Sequence, residues 1–510
     1  MHNENIRIKY MKKIFFASLA AAGLMLSSCD SYFDINQNPN QPSADDVTSS
    51  MIMPAVEMNL ASSYGDFMRI VGGYHAQHYA QEFGTSNYVD YSAFYMSATR
   101  SSSTYTQLMQ RVISNAQTII QKSEAAEDWG TYLAATTMRA FTFEVLVDCY
   151  GEIPYTEALT EATSPKYDDG ATIYAGIIAE LENAKSKASK SSTVCNNFLY
   201  PGQNADNWIK FANSLMLRIL TRESGVADVQ GKIKALIDEK NFITSDVQWA
   251  GCWSSEAGSM SPFYAEEFAT NWGSTQINVV PNIAILGTMI EEDYTDPRLA
   301  AFFTRGGNGN YNGYISSNTQ IVNGTKDANG TACDANYFSR PIASYDMPVV
   351  ILSLSDVEFY IAEYYAKAGN KDAAANHYAA AIEASFNAAG VDGAAEHIAL
   401  HPYDQANWKQ VIGLQKWVAN SGFNGFEAWC EARRLNIPAF SDQRGEDFDN
   451  GSVFNPSSYK AGTFYTPKNT RNEIGANSLC ERWPYPESST ARNSNAPKFP
   501  GHTVPVFWGK

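Results

Sequence analysis

The sequence predicts a predominantly α-helical fold built from helix pairs, with long aromatic-rich loops beside them. Apolar residues recur every three or four positions in several stretches, as they do on one face of a helix. Three other segments, 248–282, 303–347 and 440–500, have weak periodicity, and their aromatic residues lie among Gly, Asn, Asp, Ser and Pro. Loops this long in a compact domain are usually functional or disordered. Their aromatic content argues against disorder.

Two rows of apolar residues at helical spacing predict long helices. The first helix ends at Gly151, and Pro154 prevents its continuation. The second occupies the segment WIKFANSLMLRILTRES, which begins at Trp208. The apolar residues of the two stripes are Met138, Phe141, Val145 and Cys149, then Ile209, Ala212, Met216, Ile219 and Leu220.

A helix hairpin is predicted between residues 355 and 386. Ser355 and Glu358 have the spacing of a capping box, which begins a helix. Gly369 and Asn370 end that helix. A second apolar stripe runs from Ala374 to Phe386, and the seam between the two helices is rich in small residues. This pair is similar to a tetratricopeptide unit.

The first residues have the character of a secretory leader. Lys12 and Lys13 precede a short apolar stretch, residues 14–26, which is too short for an ordinary membrane span. The following Leu-Ser-Ser-Cys ends at Cys29 and is similar to a bacterial lipobox, in which the cysteine is acylated and becomes the first residue. Several acyl chains hold a domain stably to a membrane. The alternative is an ordinary signal with a chance cysteine.

These features predict the organisation of the chain. We expect a lipoprotein signal peptide over residues 1–28, with Met11 as an alternative start, a lipid-anchored tether over 29–45, and a single domain over 46–510. No later segment has the length of a transmembrane helix, so contact with the membrane is expected through the lipid anchor alone. The six cysteines after Cys29 are scattered without a CxxC motif, which leaves one or two disulfides open.

The net charge of −17 argues against nucleic acid as a partner. An acidic surface repels nucleic acid and anionic lipid headgroups. It suits a neutral or cationic partner, or it serves solubility alone. Aromatic residues make up 13% of the chain, more than core packing alone suggests.

No motif supports catalysis or a cofactor. The sequence has no G-x-S-x-G, no P-loop and no dinucleotide fingerprint. His397 and His401 are spaced like zinc ligands on a helix, but Ile398 stands where a zincin needs its general-base Glu. Paired carboxylates for glycoside hydrolysis need only proximity in space, so the sequence does not exclude them.

One segment, YHAQHYAQE, could hold a metal ion. His75, His78 and Glu82 are at i, i+3 and i+7, so one helix face could carry all three, and two imidazoles with a carboxylate can bind zinc. The favoured interpretation is the polar face of an aromatic helix, without a metal.

Six segments, in this order along the chain, resemble the SusD/RagB family of Bacteroidetes outer-membrane lipoproteins, in particular its SusD-like branch. They are CDSYFDINQNPNQPS from Cys29, DCYGEIPYTEAL from Asp148, WIKFANSLMLRIL from Trp208, LSLSDVEFYIAEYYAKAG from Leu352, GFNGFEAWCEARRLNIP from Gly422, and RWPYPESSTARNSN from Arg482. The resemblance implies an α-helical scaffold of four tetratricopeptide-like helix pairs and a loop-rich region that carries the ligand site. It also implies a non-enzymatic role on the cell exterior, as a lid on a SusC-like TonB-dependent transporter that captures an oligomeric nutrient, most often a glycan.

The resemblance also bears on individual residues. It implies that Glu427, Trp429, Arg433 and Arg434 order helix packing and buried salt bridges rather than contact a ligand. The ligand site is expected among aromatic residues of the loops, with an amide as polar partner, because sugar rings present flat C–H faces to aromatic planes and hydroxyls to polar side chains. The candidates are Trp249, Trp253, Tyr264 and Trp272 in one group, and Tyr88, Tyr91 and Phe94 with Asn87 in the other. The alternative for each ring is a place in the core.

The sequence leaves four candidate functions. The leading one is capture of a glycan. A second keeps the fold but takes peptides, which the acidic surface favours mildly. The third is an anchored hydrolase, and the fourth is a structural partner that only caps the transporter.

Overall fold

The computed structural model describes residues 47–81, 87–269, 278–318, 325–334 and 336–509. The segment from Ser49 onward packs as one compact unit. Cys29 and the expected leader and tether lie outside the described residues. No helix in the described ranges is long and apolar enough to cross a membrane. All six cysteines after Cys29 are described, and none forms a disulfide.

Helices dominate the described residues, as predicted. The helices of the first half are α1 (Ser49–Ser63), α2 (Arg69–His75), α3 (Val89–Ser92), α4 (Ser102–Thr106), α5 (Ser114–Ala125), α6 (Trp129–Tyr150), α7 (Gly170–Lys187), α8 (Asp206–Glu223) and α9 (Gln230–Glu239). Those of the second half are α10 (Pro262–Tyr264), α11 (Ile283–Met289), α12 (Leu299–Phe302), α13 (Leu354–Lys367), α14 (Lys371–Ala389), α15 (Ala394–Leu400), α16 (Trp408–Ala419), α17 (Gly425–Leu435) and α18 (Glu487–Thr490).

Short strands form two-stranded sheets in the loop-rich parts. The strands are β1 (Tyr79–Gln81), β2 (Val247–Trp249), β3 (Val279–Pro281), β4 (Lys326–Asp327), β5 (Val349–Leu352), β6 (Ala439–Arg444), β7 (Val453–Phe454) and β8 (Thr463–Thr466). β1 pairs with β3 and β2 with β5 in antiparallel order, while β4 with β7 and β6 with β8 are parallel. Turns of π-helix occupy Tyr64–Met68, Gln107–Ile113 and Ala265–Ala269, and 3₁₀ turns occupy Gly445–Phe448 and Pro456–Ser458.

The long helices pack in consecutive pairs. α6 packs with α7, α8 with α9, α13 with α14, and α16 with α17. The apolar stripes of α6, α8 and α14 are buried, and Gly151, at a φ of 83°, ends α6. The prediction of a predominantly helical fold with paired helices is therefore confirmed.

The capping box predicted for α13 is wrong by two residues. Ser353, not Ser355, is the N-cap: its Oγ accepts a hydrogen bond from the backbone N of Asp356 at 2.9 Å and donates one to Asp356 Oδ2 at 2.8 Å. Ser355 lies inside the helix, where its Oγ donates to the carbonyl of Ala381 on α14 at 2.8 Å. Ser353 and Asp356 have the same three-residue spacing, so the sequence pattern alone did not separate the two serines.

A network of buried charges joins the helix pairs. Arg218 and Arg222 of α8 bind Glu144 of α6, with Nε of Arg218 and Nη1 of Arg222 each 2.8 Å from Glu144 Oε1. Arg222 also pairs with Asp148 of α6 and Glu427 of α17, and all five side chains are at most 1% exposed. The buried salt bridge expected for Glu427 is therefore present.

The other residues implied to stabilise α17 behave as expected. Arg434 binds Glu363 of α13 through two hydrogen bonds of 2.7 and 2.6 Å. Burial opposes ionisation of Glu363, but Arg434 and Lys367 lower its pKa to about 2. The guanidinium of Arg433 lies over the ring of Trp429, 3.6 Å from its centroid. These contacts stabilise the helical core and leave α17 without a free face for a ligand.

Two glycines allow α2 and α17 to cross at close range. A Cβ on Gly72 would lie 2.5 Å from the backbone of Phe426, and one on Gly425 would lie 2.5 Å from the backbone N of Gly73. Because backbone, not a flexible side chain, occupies that space, no rotamer change can make room.

We expect Gly72→Ala to destabilise the protein by about 1–3 kcal/mol, since the two helices must separate. Gly231→Ala is a matched control, because Gly231 lies in α9 with nothing within 4 Å of its Cβ position. Alanine is favoured over glycine in an open helix by about 1 kcal/mol, so the control variant is expected to be as stable as the wild type or more so. Urea denaturation measures both, and equal stabilities of the two variants would contradict the close approach.

We expect Arg222→Met to destabilise the protein by about 3–5 kcal/mol, since it leaves the buried Asp148 without its ion-pair partner and leaves Glu427 with Arg218 alone. Lys234→Met is the control, because Lys234 and Asp238 form an ion pair exposed to water on both sides. The control should denature at the same urea concentration as the wild type. A wild-type midpoint for Arg222→Met would show that the network does not stabilise the fold.

Candidate functional site

The pairing of β1 with β3 brings two loops together that are far apart in the sequence. Tyr79 lies opposite Pro281, and Gln81 lies opposite Val279. The chain that follows β1 and the chain that precedes β3 therefore meet at the same end of this sheet. There Asn87 Nδ2 donates a hydrogen bond to Asn278 Oδ1 at 3.1 Å.

Glu267 holds the two loops in place. Its Oε1 accepts a hydrogen bond from the hydroxyl of Tyr88 at 2.6 Å, and its Oε2 accepts one from Asn278 Nδ2 at 3.4 Å. Burial raises the pKa of Glu267 to about 6, and burial together with this carboxylate raises the pKa of Tyr88 above its ordinary value. This short hydrogen bond fixes the position of the Tyr88 hydroxyl.

Tyr88 is the outer ring of an aromatic cluster. It stacks on Tyr91 with ring centroids 5.5 Å apart and planes 21° apart, and it meets the edge of Tyr74 at 5.6 Å. Tyr74 and Tyr91 are buried, whereas Tyr88 is partly exposed. The inner rings therefore support the one ring that reaches the surface.

Tyr264 and Arg100 lie on the two loops of the same site. Tyr264 ends α10 and stacks on Phe268, with centroids 5.8 Å apart and planes 7° apart, and its ring is partly exposed. The π-helical turn that follows it carries Glu267, so the residue that holds Tyr88 belongs to the segment of Tyr264. Arg100 donates to the carbonyl of Asn87 at 3.3 Å. We call this set, namely Asn87, Tyr88, Arg100, Tyr264, Glu267 and Asn278, the Tyr88 site.

Acidic side chains lie close together next to the Tyr88 site, and burial favours the protonated form of one of them, Asp66. Burial, and then the neighbouring Glu266 and Glu267, raise the pKa of Asp66 well above its ordinary value. Glu266 and Glu267 follow Tyr264 directly on the π-helical turn. The exposed Glu266 thus gives the surface next to Tyr264 a negative charge.

Several rings predicted to contact a ligand are in the core. Trp249 and Phe94 are fully buried and Tyr91 is 3% exposed, so none of the three presents an open face. Trp249 lies in β2, and Phe94 meets the edges of His75 and Phe440. For these three the alternative, a place in the core, is the better description, because their rings are almost completely covered by neighbouring residues.

The remaining candidates keep an accessible surface or lie outside the described residues. Asn87, Tyr88, Tyr264 and Trp253 are partly exposed. The indole of Trp253 donates to the carbonyl of Trp249 at 3.0 Å. In the described ranges no ring contact or hydrogen bond joins Trp253 to the Tyr88 site. Trp272 lies outside these ranges.

The proposed metal-binding face does not form as a helix. α2 ends at His75, Gln77 adopts a positive φ of 50°, and His78 lies in the turn that leads into β1. Glu82 is outside the described residues. Both imidazoles are buried without a hydrogen bond, His75 against Trp429 and His78 against Trp417. Among the residues that the structure describes, no group of three or more His, Cys, Asp or Glu side chains could hold a metal ion.

The second histidine pair is bound to protein partners. His397 Nε2 lies 2.9 Å from Gln415 Oε1, and His401 Nε2 lies 2.7 Å from Glu291 Oε1. Burial, followed by the charge of Arg298, lowers the pKa of His397 to about 4. The hydrogen bonds to Gln415 and Glu291 therefore explain the positions of these two histidines in the fold.

Sequence reasoning missed Arg100, Glu267 and Asn278. Glu267 and Asn278 belong to a loop-rich stretch that the sequence did single out, but nothing local distinguishes them from other polar residues there. Only the three-residue strands β1 and β3 bring them to Tyr88, and strands this short have almost no periodic signal.

Comparison with known proteins identifies the family. The model of the SusD-like_2 family, described as starch-binding associating with outer membrane, matches residues 39–459. This chain therefore belongs to the SusD-like family. None of the curated proteins matches the sequence.

Solved structures share the fold at low sequence identity. A SusD homolog from Bacteroides uniformis has a TM-score of 0.69 and 19% identity, over 92% of this chain and 100% of that one. A chitin-binding protein has a TM-score of 0.71 and 18% identity, over 91% and 100% of the two chains. A chitin-binding SusD homolog from Flavobacterium johnsoniae has a TM-score of 0.66 and 18% identity, over 89% and 98%. These likenesses establish the SusD-like fold.

The two buried histidines of the β1 region predict a pH dependence of stability. Burial lowers the pKa of His78 to about 3 and, with Arg433, lowers that of His75 well below its ordinary value. In the unfolded chain a histidine has a pKa of about 6.5. Between this pH and the lower pKa of the folded state, the unfolded chain binds more protons than the folded protein. The free energy of unfolding therefore falls as the pH falls through this range.

We expect His78→Phe to lose less stability than the wild type when the pH is lowered from 7 to 5. The difference is about 2 kcal/mol, from 1.36 kcal/mol for each unit below about pH 6.5. Phenylalanine keeps the contact with Trp417 and sacrifices no hydrogen bond. Urea denaturation at the two pH values measures this, and identical pH dependence of variant and wild type would show that His78 is protonated in the folded protein.

Proposed function

We propose that this protein is a surface nutrient-binding lipoprotein that captures oligosaccharides. The observation that carries the proposal is the partly exposed ring of Tyr88, held by Glu267, next to the partly exposed amide of Asn87; a second partly exposed ring, Tyr264, lies on the segment that carries Glu267. Aromatic planes stack on the C–H faces of sugar rings, while amides bind hydroxyls. The starch-binding description of the family and the chitin-binding names of two structural relatives support a carbohydrate ligand.

The hydrogen bonds within the site support binding without large rearrangement. Tyr88 is fixed by Glu267 and by its backbone N, which donates to Gln81 Oε1 at 3.1 Å. A ring that is already oriented loses little conformational entropy when a ligand binds. The Tyr88 site is therefore suited to weak neutral ligands such as sugars.

The proposed location is the outer membrane, and the leader and the family support it. Cys29 would carry the lipid, and residues 29–45 would tether the domain to the outer membrane. The description of the family as associating with outer membrane supports this location. The partner would be a SusC-like TonB-dependent transporter, to which the protein, facing the cell exterior, delivers its ligand.

A binding role, rather than hydrolysis, agrees with the use of Glu267. Both of its oxygens accept hydrogen bonds from Tyr88 and Asn278, so the carboxylate positions the loops. We therefore expect no release of reducing ends when the protein is incubated with the polysaccharide that it binds.

Capture of cationic peptides is a second candidate. The exposed Glu266 lies on the turn that follows Tyr264, and a negative surface attracts lysine- and arginine-rich chains. Binding of such peptides would weaken steeply with added salt, whereas binding of a neutral sugar would not.

We expect Tyr264→Ala to weaken binding of the recognised oligosaccharide about tenfold, since it removes a stacking surface worth about 1.4 kcal/mol, and Trp253→Ala, outside the Tyr88 site, to leave the affinity unchanged. Their melting temperatures should stay close to that of the wild type. Isothermal titration calorimetry with a panel of plant, microbial and host oligosaccharides and basic peptides measures the affinities. Trp408→Ala, at a partly exposed tryptophan on the distant helix α16, is the control and should bind normally.

The panel separates the candidates. A response to one class of glycan, weakened by Tyr264→Ala, supports the proposal. A salt-sensitive response to peptides with none to glycans would replace it with peptide capture. A large fall in melting temperature for Trp253→Ala or Tyr264→Ala would assign that ring to the core.

A further inference from the structure

A second cleft lies in the two loop-rich stretches that the Tyr88 site does not use. It has a volume of ≈ 340 Å³ and lies between α11, the loop that contains Tyr311, and the 3₁₀ turn at Pro456–Ser458. Ligand pockets in proteins begin at about 300 Å³, so this cleft is large enough for a small ring compound and too small for a folded segment. We call it the Tyr311 cleft.

The floor of the Tyr311 cleft is apolar and rigid. Ile283 and Leu286 of α11 are buried, and Ile290, just beyond the helix, keeps 37% of its surface exposed at the opening. An exposed apolar side chain inside a concavity favours a ligand that has an apolar face.

One wall is the ring of Tyr459, which packs directly on Gly287. A Cβ on Gly287 would lie 2.4 Å from Tyr459 Cδ1, so only glycine allows this contact. The hydroxyl of Tyr459 donates to the carbonyl of Thr463 at 2.5 Å, and its ring meets the edges of Phe448 and Tyr465. The ring plane is therefore fixed before a ligand arrives.

The other wall is Tyr311, whose hydroxyl group is open to a hydrogen bond from or to a ligand. The guanidinium of Arg305 lies over its ring, 4.4 Å from the centroid, and Arg305 Nη1 donates to the carbonyl of Gly309 at 3.0 Å. The Tyr311 hydroxyl makes no hydrogen bond to any described residue. The exposed Ser457 also lines the cleft; its hydroxyl donates to Asn455 Oδ1, so its oxygen is left to accept a hydrogen bond, and with Tyr311 it gives the apolar floor a polar edge.

We propose that the Tyr311 cleft is a second sugar-binding subsite that takes a pyranose unit of the oligosaccharide. The proposal rests on the proposed function, because it assumes the same class of ligand. A pyranose has an apolar C–H face for Ile290 and the tyrosine rings, and a rim of hydroxyls for Tyr311 and Ser457. The two sites share no lining residue, so each can hold a separate unit.

Two sites on one protein change how chain length affects affinity. When one unit of a polysaccharide is bound, the second unit binds at a high effective concentration, and the overall affinity exceeds that of either site. Long chains would therefore bind more tightly than trisaccharides, and removal of either site would reduce this gain.

The test counts bound sugars in the purified protein. The probes are the trisaccharides of N-acetylglucosamine, glucose and xylose and the corresponding long polymers, titrated by calorimetry. The wild type should bind two equivalents of the recognised trisaccharide. Tyr311→Ala and Ile290→Arg should each leave one equivalent and weaken binding of the polymer about tenfold.

Control variants distinguish failure of the second subsite from failure of the proposed function. Ile342→Arg is the control for Ile290→Arg, since Ile342 is 43% exposed and lies outside the cleft, and it should bind two equivalents. One equivalent in the wild type, lost in Tyr264→Ala and unchanged in Tyr311→Ala and Ile290→Arg, would overturn the second subsite and leave the proposed function intact. No binding of any glycan by the wild type would overturn both.

Discussion

The scaffold depends on full pairing of charges that are buried between helices. Arg218 and Arg222 reach from α8 to Glu144 and Asp148 on α6 and to Glu427 on α17. A buried charge without a partner costs several kcal/mol, so the rotation and axial position of these helices are restricted to arrangements that satisfy every member. Apolar packing alone tolerates small sliding movements. The ion pairs therefore give the helix pairs one defined relative position, on which the loops are built.

The loops use aromatic residues in two ways. Rings such as Tyr74 and Tyr91 are buried and form a base, and Tyr88 stacks on that base with part of its surface open. In the Tyr311 cleft the two rings are held separately, because Tyr459 packs on Gly287 of α11 and Arg305 lies over the ring of Tyr311. Rings that are restrained in advance lose less conformational entropy when a ligand is bound.

Part of the candidate site could be predicted from the sequence. Aromatic residues in long loops beside an amide indicated Asn87, Tyr88 and Tyr264, since this composition is unusual for plain loops. The same reasoning also selected Trp249 and Phe94, which the structure places in the core. A ring has the same local signature in both situations, because exposure depends on which distant segments cover it.

The sequence by itself determined the helical class, the paired helices, the leader-like segment and the membership implied by six ordered motifs. The helical class and the pairing follow from short-range patterns, namely apolar spacing, caps and breakers, which act within one or two helical turns, whereas the membership is what the resemblance of the six motifs implies. Only the tertiary structure decided that β1 pairs with β3, that Glu267 reaches Tyr88, and that α11 meets the turn before Tyr459. Those contacts join residues nearly two hundred positions apart, and they form because the buried charges and close helix crossings bring the loops together, which no local pattern records.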